Sequence, residues 1–361
     1  MKKNILAEEI ASKILKGEYG KSGDEFPSIR TVAAEYKVSP VTCSAILDVL
    51  HERGLIVLKG KRNYLCYGEI EKGTALDKKR KKSGFIGVYV PDIQNLFFSL
   101  LAKSVQHYAG ERGYNVIIMN ESEKTHFYDA LECFERLGVD AAIVESYSSE
   151  IRGNRKNKRR HTYPIILAAT NVDNETFDCV TINNKVAGKT AADLLYKSGY
   201  DEFLFIGHSL VDRDNPRISG FIKELESHGV KINEKNIICS NKTAEISFKL
   251  GEIVRASGDK TIGIFCYHDI LANQVLNICK KCGYNVPDKI GIVGCDNLPL
   301  PEDKIKITTI AYSVQEMAKE AVDLALKRVN GDESAKKTQI IPFFVYRKNS
   351  VKNLNLTSDL K

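Results

Sequence analysis

The sequence predicts an α/β protein in two parts: an N-terminal winged helix–turn–helix and a larger two-lobed body built on parallel sheets. Three observations predict it. The first 67 residues read as three helices followed by a basic-tipped hairpin. From Gly84 onward, short apolar runs alternate with amphipathic helical segments, as in strands covered by helices on both faces. The third is charge: the net +7 of the 361 residues lies almost wholly in residues 1–82, so a cationic module is joined to an electrically balanced one.

Composition excludes several classes. Hydrophobic residues at 43% and charged residues at 27% are ordinary globular values, so wholesale disorder is not expected. No apolar run reaches the about 18 residues of a membrane helix. Met1-Lys-Lys-Asn-Ile5 lacks the apolar stretch of a signal peptide, and the chain is expected to be cytoplasmic. Nine cysteines without regular spacing read as reduced thiols. Cys279-Lys-Lys-Cys282 lies inside an amphipathic segment and lacks further ligands nearby, so no metal or redox centre is expected. No glycine-rich dinucleotide loop, phosphate-loop lysine or nucleophile constellation appears, so neither a cofactor nor an enzyme is expected.

In the first module, Leu6, Ala7, Ile10, Ala11 and Ile14 share one helical face, and Gly17 follows as a stop. Ser28 is placed to cap a second helix through Ile29, Val32 and Ala33. After a turn of Tyr36, Lys37 and Val38, Ser39 caps a third helix with Pro40 at its first position, where the missing N–H costs nothing. Cys43, Ile46, Leu47 and Leu50 face inward along it; Pro40, Val41, Ser44 and Asp48 face outward, with Thr42 at the rim. Gly54–Leu58 reads as a strand, Lys59–Asn63 as a turn and Tyr64–Tyr67 as the return strand. The third helix can enter a major groove N-terminus first, bringing its dipole and the Ser39, Thr42 and Ser44 hydroxyls near bases and phosphates. Lys59, Lys61 and Arg62 can track the phosphate backbone. A winged helix can also serve protein contact with its basic face solvated; caps, turn and basic wing together favour double-stranded DNA.

These residues resemble a known family. Phe26-Pro-Ser-Ile-Arg30, Val38-Ser39 through Leu50, and Gly54-Leu-Ile56 are similar to the DNA-binding domain of the GntR family, over roughly residues 5–67. The resemblance implies that Arg30, beside Ser28, contacts DNA. Pro40 and Ser44 stand where that family usually carries two recognition-helix arginines, and Gly60-Lys-Arg-Asn63 stands where its wing reads Gly-x-Gly-Thr. Without those arginines, bidentate guanine contacts from the helix are lost. Pro40, Val41 and the Thr42 methyl are left to meet thymine methyls, which predicts an A·T-rich operator.

The domain plan that follows is a DNA-binding head at 1–68, a charged linker at 69–83, a body at 84–350 and a tail at 351–361. Lys78–Lys82 is five consecutive basic residues, read as part of a solvated tether. A second basic run, Arg152–Arg160, reads as a solvated loop. In the body, strands are expected at Phe85–Val90, Asn115–Met119, Ala141–Val144, Pro164–Leu167, Phe203–Ile206, Ile237–Cys239, Ile262–Phe265 and Ile290–Val293. Helices are expected at Phe98–Arg112, Phe127–Leu137, Val186–Ser198 and Ile218–His228, with others between the later strands. So many strands exceed one small sheet, hence two lobes, with ligands bound beyond the carboxyl ends of the strands.

Residues at those ends form a candidate site: Phe97 and Phe98 after the first strand, then Arg217, then His268 and Asp269, then Asp296. Aromatic faces stack on the C–H face of a sugar, while Asp and Arg fork hydrogen bonds to vicinal hydroxyls. Each has a plainer alternative. Phe97 and Phe98 can be core, Asp269 and Asp296 can cap the segments they begin, and Arg217 can sit in a surface ion pair.

This region resembles the effector domain of the LacI family of repressors, a type I periplasmic-binding-protein-like fold. The resemblance rests on Val90-Pro-Asp92 with Phe97-Phe98, Arg217-Ile-Ser-Gly-Phe221, His268-Asp269 with Ala272, Val286-Pro-Asp-Lys-Ile-Gly-Ile-Val-Gly-Cys-Asp-Asn297, Thr308-Thr-Ile310 and Pro342 through Ser350. It implies that Phe97, Phe98, Arg217, Asp269 and Asp296 contact an effector. That family often has Asn where His268 stands and an aromatic where Cys295 stands. A GntR-type head on a LacI-type body is the layout of the arabinose repressor class. It implies a homodimeric transcription regulator, expected to repress, with double-stranded operator DNA and a small carbohydrate effector as partners.

Overall fold

The computed structural model describes residues 2–21, 23–52, 55–59, 62–65, 82–122, 126–145, 161–170, 177–209, 211, 215–301 and 304–353. Two compact units result, Met1–Arg80 and Lys81–Lys361. The basic run Arg152–Arg160, the tail beyond residue 353 and linker residues 69–81 lie outside the described residues.

The first unit follows local signals closely. Helix α1 is Lys2–Leu15, α2 is Ile29–Glu35 and α3 is Pro40–Glu52. Gly17 has φ 79°, which stops α1 as its sequence demands. Ser28 Oγ accepts from Thr31 N at 3.2 Å, and Ser39 Oγ accepts from Thr42 N at 3.1 Å, so both predicted caps are made. Ile10, Ile14, Phe26, Val32, Ile46 and Leu50 fill the core. The wing departs from expectation. Strand β1 is Ile56–Lys59 and β2 is Arg62–Leu65, paired antiparallel from Ile56↔Leu65 to Lys59↔Arg62. Arg62 and Asn63 thus belong to a strand, not a turn. The reason is tertiary: Phe26 N donates to Asn63 O, and Leu65 N donates to Asp24 O, each at 2.8 Å, so residues 24–26 draw β2 into line.

In the second unit one sheet is wholly parallel. Its strands, in spatial order, are β13 (Thr338–Ile340), β7 (Asp178–Thr181), β6 (Ile165–Ala168), β5 (Ala141–Val144), β3 (Phe85–Val90) and β4 (Asn115–Asn120). Helices α4 (Leu96–Gly110), α5 (Phe127–Leu137) and α10 (Val314–Val329) cover this first lobe. The other sheet runs β14 (Phe343–Tyr346), β12 (Thr308–Tyr312), β11 (Ile290–Cys295), β10 (Ile262–Cys266), β8 (Glu202–Gly207) and β9 (Ile237–Cys239), with only the β14 edge antiparallel. Helices α6 (Asn184–Lys197), α7 (Pro216–Ser227), α8 (Thr243–Ala256) and α9 (Asp269–Cys282) complete this second lobe.

The chain passes between lobes at three places: from β7 into α6, from β12 into α10, and from β13 into β14. Strands β7, β12, β13 and β14 and helix α10 were not expected from the sequence. Asp178 opens β7 yet is fully buried, because Arg328 pairs with it in a two-point contact of 2.7 and 2.9 Å. No helix among the described residues is long and apolar enough to cross a membrane. Cys279 is buried and Cys282 exposed on α9, consistent with two small residues one turn apart.

Candidate functional site

In the first unit, Ser28, Arg30, Ser39, Pro40, Val41 and Ser44 are solvent-exposed, and Thr42 is half-buried. The N-terminal turn of α3 therefore stands open. The Ser28 and Ser39 hydroxyls are already engaged as caps, each also sharing a bond with Thr31 or Thr42 Oγ1 at 2.8 and 2.9 Å. Arg62 is exposed but paired with Glu25 at 2.8 Å, so a phosphate would have to compete for it. Lys61 and the side chain of Lys59 lie outside the described residues. His51 Nε2 meets Asn63 Oδ1 at 2.9 Å and ties α3 to the wing, a contact for which the sequence carries no local signal.

In the second unit a cavity of about 300 Å³ lies between the lobes. The first lobe contributes Asp92, Phe97, Phe98, Glu121, Glu145 and Thr170; the second contributes Asn184, His208, Arg217, Tyr267, His268, Asp296 and Tyr312. Most stand at or just beyond the carboxyl ends of β3, β4, β5, β8, β10, β11 and β12, where ligands bind in open α/β sheets. Five of the six residues expected in the site therefore line one cavity. Phe97 and Phe98 are both core and wall. They are mostly buried, packed edge-to-face at 5.5 Å between centroids, and follow Asn95, whose Oδ1 caps α4 by accepting from Phe97 N at 3.0 Å.

Arg217 is 5% exposed and is not in a surface ion pair. Its Nε and Nη2 both donate to Asn184 Oδ1, at 3.0 and 2.7 Å, Nη1 donates to Tyr267 O, and the guanidinium lies over the Tyr267 ring at 4.5 Å. Two glycines make this possible. A Cβ on Gly220 would lie 2.0 Å from Lys185 O, and one on Gly188 would lie 2.0 Å from Arg217 O. Only hydrogen at both positions lets α6 and α7 cross closely enough for Asn184 to meet Arg217.

Asp296 has φ 109°, a costly conformation for a non-glycine residue, held by Asp296 N donating to Ile310 O at 3.0 Å. Its Oδ1 accepts from Tyr312 Oη at 2.8 Å. Burial pushes its carboxyl up to about 6, against the lowering influence of Arg217 and Tyr312. His268 caps α9: its Nδ1 accepts from Leu271 N at 3.1 Å, which puts the proton on Nε2. Burial, then the nearby Arg217 and His208, push it down to about 4, so it is neutral near pH 7.

Asp269 is the exception. It does not line the cavity. Its Oδ1 accepts from Thr309 Oγ1 at 2.7 Å and its Oδ2 from Leu298 N at 2.9 Å, so both oxygens tie the start of α9 to the segments after β11. Gly294 admits it: a Cβ there would lie 2.1 Å from Asp269 Oδ1. Sequence reasoning also missed Asn184, Tyr267 and Tyr312. Tyr267 adjoins a nominated residue and was within reach. Asn184 and Tyr312 sit beside two passages between lobes, which no local pattern marks.

Residues 192–351 match the model of a periplasmic binding protein-like domain. The HTH-type transcriptional repressor PurR of Photobacterium profundum is 26% identical over 276 residues, covering 75% of this chain and 82% of that protein. The arabinose metabolism transcriptional repressor of Halalkalibacterium halodurans is 25% identical over 341 residues, covering 90% of this chain and 88% of its own. A LacI family transcriptional regulator from Enterococcus faecium, solved with bound ribose, superposes with a TM-score of 0.63 at 23% identity, over 74% of this chain and 98% of that one. That last likeness is one of fold.

Proposed function

We propose that this chain, a transcription regulator homologous to the PurR and arabinose repressors and carrying a periplasmic-binding-protein-like domain, binds operator DNA through its winged head under the control of a small carbohydrate held between its lobes. One observation carries the reading: Phe97 and Phe98 from one lobe, and Arg217, His268 and Asp296 from the other, converge on a single cavity. Aromatic faces, a fixed guanidinium fork and a carboxylate are the groups that recognise a polyol.

The head is of the GntR type, a reading supported by the two serine caps, the short turn through Lys37 and the antiparallel wing. Arg30, Pro40, Val41 and Ser44 face the DNA, and the open N-terminus of α3 favours anions there. The chain acts as a homodimer whose heads engage half-sites about 34 Å apart, or a multiple of that. A ligand bridging both lobes favours one lobe arrangement and so shifts the head spacing, by its differential affinity alone. Repression relieved by the ligand is the expected sense.

Gel retardation of the protein's own promoter region, with and without a panel of pentoses, hexoses and their phosphates, tests this. DNA affinity should fall steeply with salt and change with one panel member. A protein that ignores duplex DNA in dilute buffer, or turns over a panel member, refutes the reading.

A further inference from the structure

Helix α3 presents an unusual reading surface. Its sequence, Pro40 to Glu52, contains no Arg, Lys, Asn or Gln, the side chains that make bidentate contacts to guanine or adenine. Cys43, Ile46, Leu47 and Leu50 are buried. Thr42 is half-buried with its hydroxyl against Ser39, and His51 is tied to Asn63. Among the described side chains of the helix, those that remain exposed are Pro40, Val41, Ser44 and Asp48. Asp48 repels phosphates, and Ser44 discriminates bases weakly. Val41 is 80% exposed, more than any other large apolar side chain described. It stands in the first turn, the part of such a helix that meets base edges.

We infer that Val41 is a specificity-determining residue that reads thymine by packing on its 5-methyl group. This rests on the DNA-binding reading above and deepens it. In the major groove the thymine methyl is the one apolar feature a valine can match. Affinity from the helix then comes from shape and methyl burial, while Arg30 and the wing supply phosphate contacts that carry no sequence information.

The test begins with duplexes selected from a random pool on the full-length protein. The selected site is remade with deoxyuridine replacing thymidine, which deletes only the methyl groups. Fluorescence anisotropy at fixed salt should show binding weakened about 4-fold per contacted thymine, the worth of one buried methyl. Val41→Ala, which shortens the apolar contact, should narrow the difference between the two duplexes, and Arg30→Ala should weaken both alike. Val41 is nearly free of packing, so Val41→Ala should melt with the wild type; its melting curve checks this. A selected duplex that binds equally with and without the methyls overturns the inference and leaves DNA binding intact. A uridine penalty undiminished in Val41→Ala overturns Val41 as the reader. Failure to select any duplex overturns the DNA-binding reading itself, and the inference with it.

Discussion

Replacing Gly220 by alanine should destabilise the second unit, although alanine is the better helix former. In an exposed helix interior the change would gain about 1 kcal/mol. Here the new Cβ would lie 2.0 Å from Lys185 O and 2.9 Å from Lys185 C, whereas real Cβ contacts essentially never fall below 3.0 Å. The obstacle is backbone and cannot rotate away, so α6 and α7 must part by about 1 Å. Overpacking of this kind costs about 1–3 kcal/mol, and more where backbone resists. At about 2–4 °C per kcal/mol, the melting temperature should fall by several degrees. The parting also pulls Asn184 Oδ1 away from Arg217, which it now meets at 2.7 and 3.0 Å, so affinity for the responsive panel sugar should fall about tenfold or more. Gly251→Ala in α8 is the control. Its Cβ would meet nothing closer than Arg255 Nη1 at 3.6 Å, so it should be neutral or stabilising. Differential scanning calorimetry of the full chain, with and without ligand, reads both. A Gly220→Ala protein that melts at or above wild type would refute the close crossing and the account of how Arg217 is held.

Arg217→Lys keeps the charge but loses the two-point contact to Asn184 and the stack on Tyr267, and calorimetric titration should show ligand affinity down about 10- to 100-fold. Ser39→Ala removes the α3 cap, costing about 1 kcal/mol, and should weaken operator binding in anisotropy while leaving ligand affinity unchanged. Stability should depend on pH through the buried carboxyls. Burial pushes Asp269 up to about 7, with Asp296 adding to it, and pushes Asp296 up to about 6. The folded state therefore holds these protons more tightly than an unfolded chain whose carboxyls titrate near 3.8. Stability should rise as pH falls from about 7, less steeply below about 6.5, where His268 and His208, which burial holds neutral, oppose the carboxyls; the rise should shrink in Asp296→Asn, which keeps an acceptor for Tyr312. Carboxylates held low, such as Asp178 and Asp332, reverse the trend only as pH falls below about 4. A pH dependence of the melting temperature unchanged in Asp296→Asn would contradict this.

Much of the fold was legible where signals are local. The helix expected at Phe127–Leu137 has those bounds, and Gly138, with φ 70°, ends it. The strand at Ile237–Cys239 was equally clear. Strand β13 was not, because its three residues are all exposed and lie at a sheet edge beside a strand some 160 positions earlier. Strand-end position picked out Phe97, Phe98, Arg217, His268 and Asp296, which line one cavity. The same rule picked out Asp269, which bonds Thr309 and Leu298 instead, because an aspartate opening a helix after a strand looks alike in sequence whichever way it faces.

By itself the sequence determined most helices and strands, the caps at Ser28 and Ser39, and the concentration of positive charge in residues 1–82. Those features depend on contacts within about four residues or on summed charge, and both can be read along a line. Only the tertiary structure decided which strand-end side chains share a cavity and which are spent on internal bonds. That depends on sheet order, on three passages of the chain between lobes, and on two helices brought together by Gly188 and Gly220, across separations that local pattern does not encode.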